Sequence, residues 1–303
     1  VLAVMAQRHP IARGLVVLVT VVFAFFAGIF VLTVGTEGKL GAFVALGDKV
    51  GVVEVKGVIS ESDDVVDALK TFEKTPRVRA VVVRIESPGG GVAPSQEIYN
   101  AIRHLRESKP VVASMGGVAA SGGYYIASAC DTIVANPGTI TGSIGVIMEL
   151  GNVEGLLQKL GVQPEIVKAG NYKDMGSMVR PMTDAERGLF QEMLDSVHTQ
   201  FITAVATGRR MDKDQVRALA DGRIFSGEQA KVAGLVDELG GLEEAVALAA
   251  NRAGVTGEPG VTHARSSREP WWWRLFFNFT PAGPFSSYRA SGLQIVYGGP
   301  FLR

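Results

Sequence analysis

A serine in a turn of small residues is the side chain of this sequence best placed for covalent chemistry. Ser121 lies in the run Met115, Gly116, Gly117, Val118, Ala119, Ala120, Ser121, Gly122, Gly123, Tyr124, Tyr125. Residues 110–115 before it read as a buried strand, and residues 124–130 after it as an amphipathic helical segment. A passage of that kind presents a hydroxyl at a helix start beside free backbone N–H groups, the setting a serine nucleophile needs. The chemistry then depends on what accepts the hydroxyl proton.

None of the four histidines has a base-like setting. His9 precedes a long apolar run and His263 falls in a polar stretch, while His104 and His198 sit in helices with surface-like charge patterns. The G-x-S-x-G elbow fails as well, because residue 119 is alanine. A lysine is the alternative base. Free lysine, with a pKa of about 10.4, is protonated at neutral pH, but burial beside apolar groups disfavours its charged form. Lys173 is the best candidate, since it follows a short strand expected at 165–168 and sits in the turn Gly170, Asn171, Tyr172. Asp174 beside it would oppose deprotonation if it pointed at the amine, so it is expected to face away. A solvated surface lysine is the plain alternative.

An acyl-transfer reaction also needs donors for a developing oxyanion. Ser87, Pro88, Gly89, Gly90 and Gly91 follow an apolar strand, and successive glycines let amides converge on an anion without Cβ obstruction. Neither the P-loop pattern nor the dinucleotide fingerprint is present here, which leaves a tight turn as the other reading. Gly122, directly after Ser121, offers a second amide. Ser143, in the Gly-flanked turn Thr141, Gly142, Ser143, Ile144, Gly145, could orient a neutral lysine without adding charge, or serve ordinary turn chemistry.

Composition narrows the partner classes. Thirty basic and 30 acidic residues give a formal net charge of zero, which argues against nucleic acid. The one cysteine, Cys130, excludes an internal disulfide or a cysteine zinc cluster and reads as a buried structural thiol. No cofactor is expected. Residues 14–34 form a run of 21 without a charge. As a helix at ~1.5 Å per residue it would span ~31 Å, about the hydrocarbon thickness of a bilayer. Arg8 and Arg13 precede it, so the expected arrangement is a cytoplasmic stub at 1–13, an uncleaved anchor at 14–35 and an extracytoplasmic remainder. A cleaved signal peptide is the alternative, against which stand the length of the run and the lack of an A-x-A site.

After a linker at 36–47, apolar runs alternate with helical patterns. Strands are expected at 50–59, 80–85 and 111–115, and helices at 63–73, 95–107, 153–160, 230–236 and 242–253. Thr183 with Glu186 forms a capping box for a long helix reaching about residue 206. This alternation predicts an α/β domain with buried parallel strands over 48–253. Residues 254–270 read as linker. Trp271, Trp272 and Trp273, followed by Arg274, Leu275, Phe276 and Phe277, suit either a membrane interface or packing on the domain or a neighbouring subunit.

Taken together, five segments in order resemble the signal peptide peptidase A family of membrane-anchored serine proteases, which is related to the Clp protease and crotonase folds. They are residues 86–92, 114–125, 141–145, 168–174 and 222–237. The resemblance covers roughly residues 48–253 and fits the short, single-domain form of the family. It implies a Clp protease/crotonase-like domain of repeated β-β-α units behind one transmembrane helix. Ser121 is then the nucleophile and Lys173 the general base, with the oxyanion hole on Gly90 and Gly122 and with Ser143 beside the lysine. It also implies hydrophobic peptide substrates, chiefly signal peptides, and a homo-oligomer in which serine and lysine come from adjacent protomers. Glu86 stands where the family often has asparagine. A relative that clips stomatin-like membrane proteins, a non-catalytic scaffold of the same fold and a crotonase-like acyl-CoA enzyme are the competing readings. Intact Ser121 and Lys173 count against the scaffold.

Overall fold

Valine-rich runs, too apolar for a half-solvated sheet, become parallel strands covered on both faces. The computed structural model describes residues 20–25, 47–264 and the backbone of 294–296, and the chain divides into two units, Val1–Asp48 and Lys49–Arg303. In the first unit residues 20–25 are helical. The rest of the expected anchor at 14–35 lies outside the described residues, as do the linker to residue 46 and the tryptophan cluster. Among the described residues, no helix is long and apolar enough to cross a membrane.

The second unit is α/β. Strands β1 (Lys49–Lys56), β2 (Val78–Ser87) and β4 (Val111–Ala120) form its parallel centre. Short β3 (Gly89–Gly91) leads directly into helix α2 (Val92–Leu105), and α1 (Asp63–Lys74) links β1 to β2. Strand β4 is long enough to carry two neighbours along one edge. Its first half pairs in parallel with β5 (Thr132–Ala135) and its second half with β6 (Ile140–Gly142). The short helix α3 (Gly122–Ala127) separates β4 from β5 in sequence. Strand β7 (Ile224–Ser226) runs antiparallel to β6, and β8 (Glu238–Leu239) pairs with β5. The far edge is β9 (Gly260–His263), parallel to β1.

Alternation along the strands divides the interior into two layers. Val81, Val83 and Ile85 of β2 pack with Leu69 and Phe72 of α1 and with Ile98 and Ile102 of α2. Ala80 and Val82 face the other way, onto Ala245, Val246 and Ala249 of α8 (Leu242–Arg252). Helices α4 (Glu154–Lys159), α5 (Asp184–Arg209), α6 (Lys213–Leu219) and α7 (Gly227–Val232) complete the chain.

Several expectations need correction. The segment at 124–130 is not amphipathic: α3 starts at Gly122 and every residue of it is buried, because both its sides face protein. Strand β4 does not stop at Met115 but continues to Ala120. Residues 165–168 are not a strand and lie exposed; no sheet edge reaches them. The helix expected at 230–236 is shifted to Gly227–Val232, capped by Ser226 and Gln229. The stretch read as a linker at 254–270 contributes β9 to the sheet. The capping box of Thr183 and Glu186 is present and opens the longest described helix.

The end of α5 is fixed against α3 and the β8 region. Arg209 donates to both carboxylate oxygens of Asp237, at 2.6 and 2.7 Å, and to the Gly234 carbonyl. Asp237 also accepts from the Ile133 amide at 2.7 Å, and the buried Tyr124 hydroxyl donates to the Leu235 carbonyl at 2.9 Å. Burial pushes the Tyr124 phenol well above its usual range, so it remains a donor. Gly208 permits this closeness, since a Cβ there would lie 1.9 Å from the Ser128 carbonyl oxygen. Gly208→Ala is expected to destabilise the domain by about 1–3 kcal/mol, as overpacking against backbone does. An unshifted urea midpoint would contradict this packing.

Candidate active site

The serine turn is positioned by an interruption in sheet pairing. Ile85 of β2 is registered with Met115 of β4, but Ser87 is registered with Ala119, so β4 carries extra residues over that interval. Extra residues leave amides without a partner strand. The Glu86 carboxylate takes them: it accepts from the Gly117 amide at 2.9 and 3.0 Å and from the Val118 amide at 3.2 Å. A Cβ at Gly116 would lie 1.6 Å from Glu86 Oε2, so any side chain there would displace the carboxylate from these amides. Arg84 supports the same corner, donating to Ser114 Oγ at 2.9 Å and to the Met115 carbonyl at 3.2 Å. Beyond this bulge, β4 rejoins the ladder and delivers Ser121 to the start of α3.

Ser121 is 1% exposed and adopts φ 53°, ψ −115°, a left-handed conformation suited to glycine. Its amide donates to the Gly142 carbonyl at 2.8 Å, so Ser143 is one residue from a direct backbone contact with the serine. Ser143 also has positive φ, 50°, and its amide donates to the Arg223 carbonyl at 2.8 Å. The Gly122 backbone abuts β3: a Cβ on Gly122 would lie 3.2 Å from the Gly90 nitrogen and 2.6 Å from Ser95 Oγ. Ser95 is buried and anchors the β3–α2 junction by donating to the Gly91 carbonyl at 2.8 Å. Gly90 is squeezed from its other side, where a Cβ would lie 2.2 Å from the Ile59 carbonyl oxygen. The structure therefore brings Ser121, Gly122, Gly90 and Ser143 together. It supplies a hydroxyl and two adjacent backbone amides in a mostly buried setting.

Lys173 is not among them. It is exposed in the turns after Gly170, and among the described residues its amine has no hydrogen-bond or ion-pair partner. The loop around it is nevertheless firmly built. Asp174 is bonded to Arg180 Nε at 2.8 Å and to Lys168 Nζ, so its carboxylate points into the loop rather than at Lys173, as expected. Arg180 and then Lys168 hold the Asp174 carboxyl well below the usual carboxylate range. Arg180 also forks onto Glu186, ties to the carbonyls of Asp174 and Pro181, and so joins the loop to the start of α5.

Two features were missed in the sequence. Glu86 looked like a departure from a family preference, and only the register jump gives it a purpose. His198 read as a surface residue, yet its Nε2 is buried without a partner among the described residues, and it lines a cavity of about 450 Å³ with Ser143, Asp195, Asp221 and Ile147. No sequence signal separates that histidine from an exposed helical one.

Comparison with known proteins decides the class. The model of Peptidase family S49 matches residues 103–256, and that of Clp protease matches residues 50–137. The chain belongs to peptidase family S49. A Synechocystis sp. protein provisionally named a protease is 47% identical over 209 residues, covering 68% of this chain and 75% of that one. An Enterococcus faecium protein, provisionally named signal peptide peptidase SppA, is 41% identical over 59% of this chain and 52% of its own. The chloroplastic serine protease SPPA of Arabidopsis thaliana is 33% identical over 82% of this chain, which spans 38% of its length. Family membership makes the chain a serine peptidase with a Clp protease-like α/β fold.

Two outcomes follow from this geometry. The Ser121 backbone costs on the order of 1–3 kcal/mol in a residue other than glycine, so Ser121→Gly is expected to raise stability in urea by about 1 kcal/mol. A destabilised Ser121→Gly chain would show that the conformation is not strained. The second concerns Glu186, whose carboxyl is brought from 4.5 to about 2 by Arg180 and by the Thr183 amide. Its contribution is complete above pH 4.5 and is lost as pH falls towards about 2. The stability gap between wild type and Glu186→Gln should therefore be constant above pH 4.5 and close as the pH falls towards about 2. A gap that stays open down to pH 2 would assign the loss to packing instead.

Proposed function

We propose that this chain is a membrane-anchored serine endopeptidase that degrades cleaved signal peptides and other hydrophobic peptides. In this reading Ser121 is the nucleophile, Lys173 from a neighbouring protomer is the general base, Gly90 and Gly122 donate to the oxyanion, and Ser143 orients the lysine. The observation that carries it is a mismatch. Among the described residues, a buried serine stands against two amides with no base bonded to it, while a lysine without a side-chain partner projects from a hydrogen-bonded loop elsewhere. A second copy would supply what each site lacks. The segment that carries Lys173 supports this, since Ile147, Leu150, Leu160, Val167, Tyr172 and Met178 all leave apolar surface exposed on it. Burying that surface at a subunit contact would also remove water from the lysine and favour its neutral form. The membrane reading rests on the uncharged run at 14–34, and the signal-peptide reading on the name of the Enterococcus relative.

The steps follow from these roles. Ser121 Oγ attacks the scissile carbonyl carbon as the neutral Lys173 amine takes its proton. The carbonyl oxygen becomes an anion held by the Gly90 and Gly122 amides. Collapse breaks the C–N bond, and the lysine ammonium returns the proton to the departing amine, leaving an acyl-enzyme. Water then attacks the ester, giving its proton to Lys173, and the second tetrahedral species releases the acid and restores the serine.

Hydrolysis of a fluorogenic apolar peptide by purified full chain tests this reading. Ser121→Ala and Lys173→Ala are each expected to lose at least about 10³-fold in kcat, as removal of a nucleophile or its base does. His198→Gln is expected to stay within about threefold of wild type. Mixing the two inactive variants should restore part of the activity, because hetero-oligomers contain sites with both groups intact. Near-normal turnover by Lys173→Ala, or a collapse in His198→Gln, would move the base to the histidine cavity.

A further inference from the structure

A cavity of about 450 Å³ adjoins the serine turn. The Ser121 amide donates to the Gly142 carbonyl, and the next residue, Ser143, stands in the cavity lining. Helix α5 contributes Gln191, Leu194, Asp195 and His198, at i, i+3, i+4 and i+7, the spacing that gathers side chains on one side of a helix. Val146 and Ile147 add apolar surface, and Asp221 adds a second carboxylate.

The two carboxylates are not equally free. Asp221 is engaged by Arg223, whose Nε donates to its two oxygens at 2.8 and 2.9 Å. Asp195 meets only a neutral group: Gln191 Nε2 donates to its Oδ1 at 2.8 Å, and among the described residues it has no ion-pair partner. An apolar side chain filling this space would strip water from that carboxylate and return no hydrogen bond. An acidic one would set like charges together. A lysine or arginine lays its methylene stem along Leu194 and Ile147 and carries its cation to Asp195.

We propose that this cavity is a substrate side-chain subsite for lysine or arginine, close to the scissile bond, with Asp195 as its specificity-determining residue. The inference rests on the active-site reading of Ser121 and narrows the substrate class there. Signal peptides join a positively charged segment to an apolar one, so such a subsite directs cleavage to the basic flank of the apolar stretch. Asp195 is exposed, so water and salt screen the pair, and the preference it supplies is about 3- to 10-fold in kcat/KM.

Internally quenched apolar peptides that differ at a single position test this. They carry lysine, methionine or glutamate at each of the three positions on either side of the scissile bond, and mass spectrometry locates the cut. Methionine keeps an unbranched stem without the charge. At one of these positions the full wild-type chain is expected to favour lysine over methionine by about 3- to 10-fold and to disfavour glutamate, and added salt should shrink the advantage. Asp195→Asn should bring the lysine-to-methionine ratio to within about twofold of unity, and Asp195→Lys should invert the order of lysine and glutamate. Equal turnover of the three peptides at every position, or a lysine advantage that survives Asp195→Asn, overturns the inference. So does a change that Asp195→Asn makes equally in all three peptides, since the carboxylate would then act on the neighbour's Lys173 rather than on substrate. Ser121→Ala separates the two levels. If it is inactive while wild type does not discriminate among the peptides, only the subsite fails. If it retains turnover, the active-site reading fails and this inference falls with it.

Discussion

The site depends on a carboxylate doing the work of a missing strand. Between Ile85 and Ser87 the ladder from β2 to β4 loses its register, and Glu86 accepts the amides of Gly117 and Val118 that the ladder would have used. Gly117 is exposed and Val118 half-buried, so water is the competing acceptor, and the carboxylate contributes about 1 kcal/mol by fixing one geometry for the bulge. The extra residues let β4 leave β5 and begin again beside β6. Without that change of neighbour, the Ser121 amide would not meet the Gly142 carbonyl, and the serine would not stand between β6 and β3. Glutamate reaches further than asparagine and offers two oxygens, which suits a carboxylate that spans two successive amides.

The rest of the corner is built by leaving atoms out. Gly90, Gly116 and Gly122 each sit where a Cβ would overlap backbone or a fixed polar atom. Close backbone approach brings the two amides beside the serine, and α3, buried throughout, cannot shift to make room. Arg209 and Asp237 secure the far side of α3 through the chain around Tyr124. The strain in the Ser121 backbone is sustained by this surrounding packing rather than by any contact of its own side chain.

Much of the central fold was legible, because its signals are local. Valine runs, the glycine loop after β2 and the Thr183–Glu186 capping box each state their role within a few residues. Ser121, Gly122, Gly90 and Ser143 could be selected as candidates for the same reason: each lies on a turn directly after a strand. What was not legible depends on partners distant in sequence. The purpose of Glu86 lies across 31 residues, in a register jump. The burial of the His198 ring nitrogen and the strand at 260–263 depend on surfaces that periodicity cannot show. Within residues 165–168, Ile166 and Val167 are the apolar side chains that a strand would use, but no strand pairs with them, so they remain exposed.

The loop that bears Lys173 shows how a fixed charge can serve structure without spoiling chemistry. An aspartate next to a lysine ordinarily favours the ammonium, the form that cannot accept a proton. Here the Asp174 carboxylate is turned into its loop and shared between Lys168 and Arg180, which also grips Glu186 at the start of α5. Its negative charge is thereby directed at two other cations. Arginine suits the centre of this cluster because its planar fork can meet two carboxylates and two carbonyls at once, whereas lysine is a single point charge. If Lys173 serves a neighbour's serine, as proposed, this rigidity has a kinetic value. A base that must enter another subunit's site loses less freedom on docking when its loop is already ordered, and more of the contact energy is left for alignment with the serine.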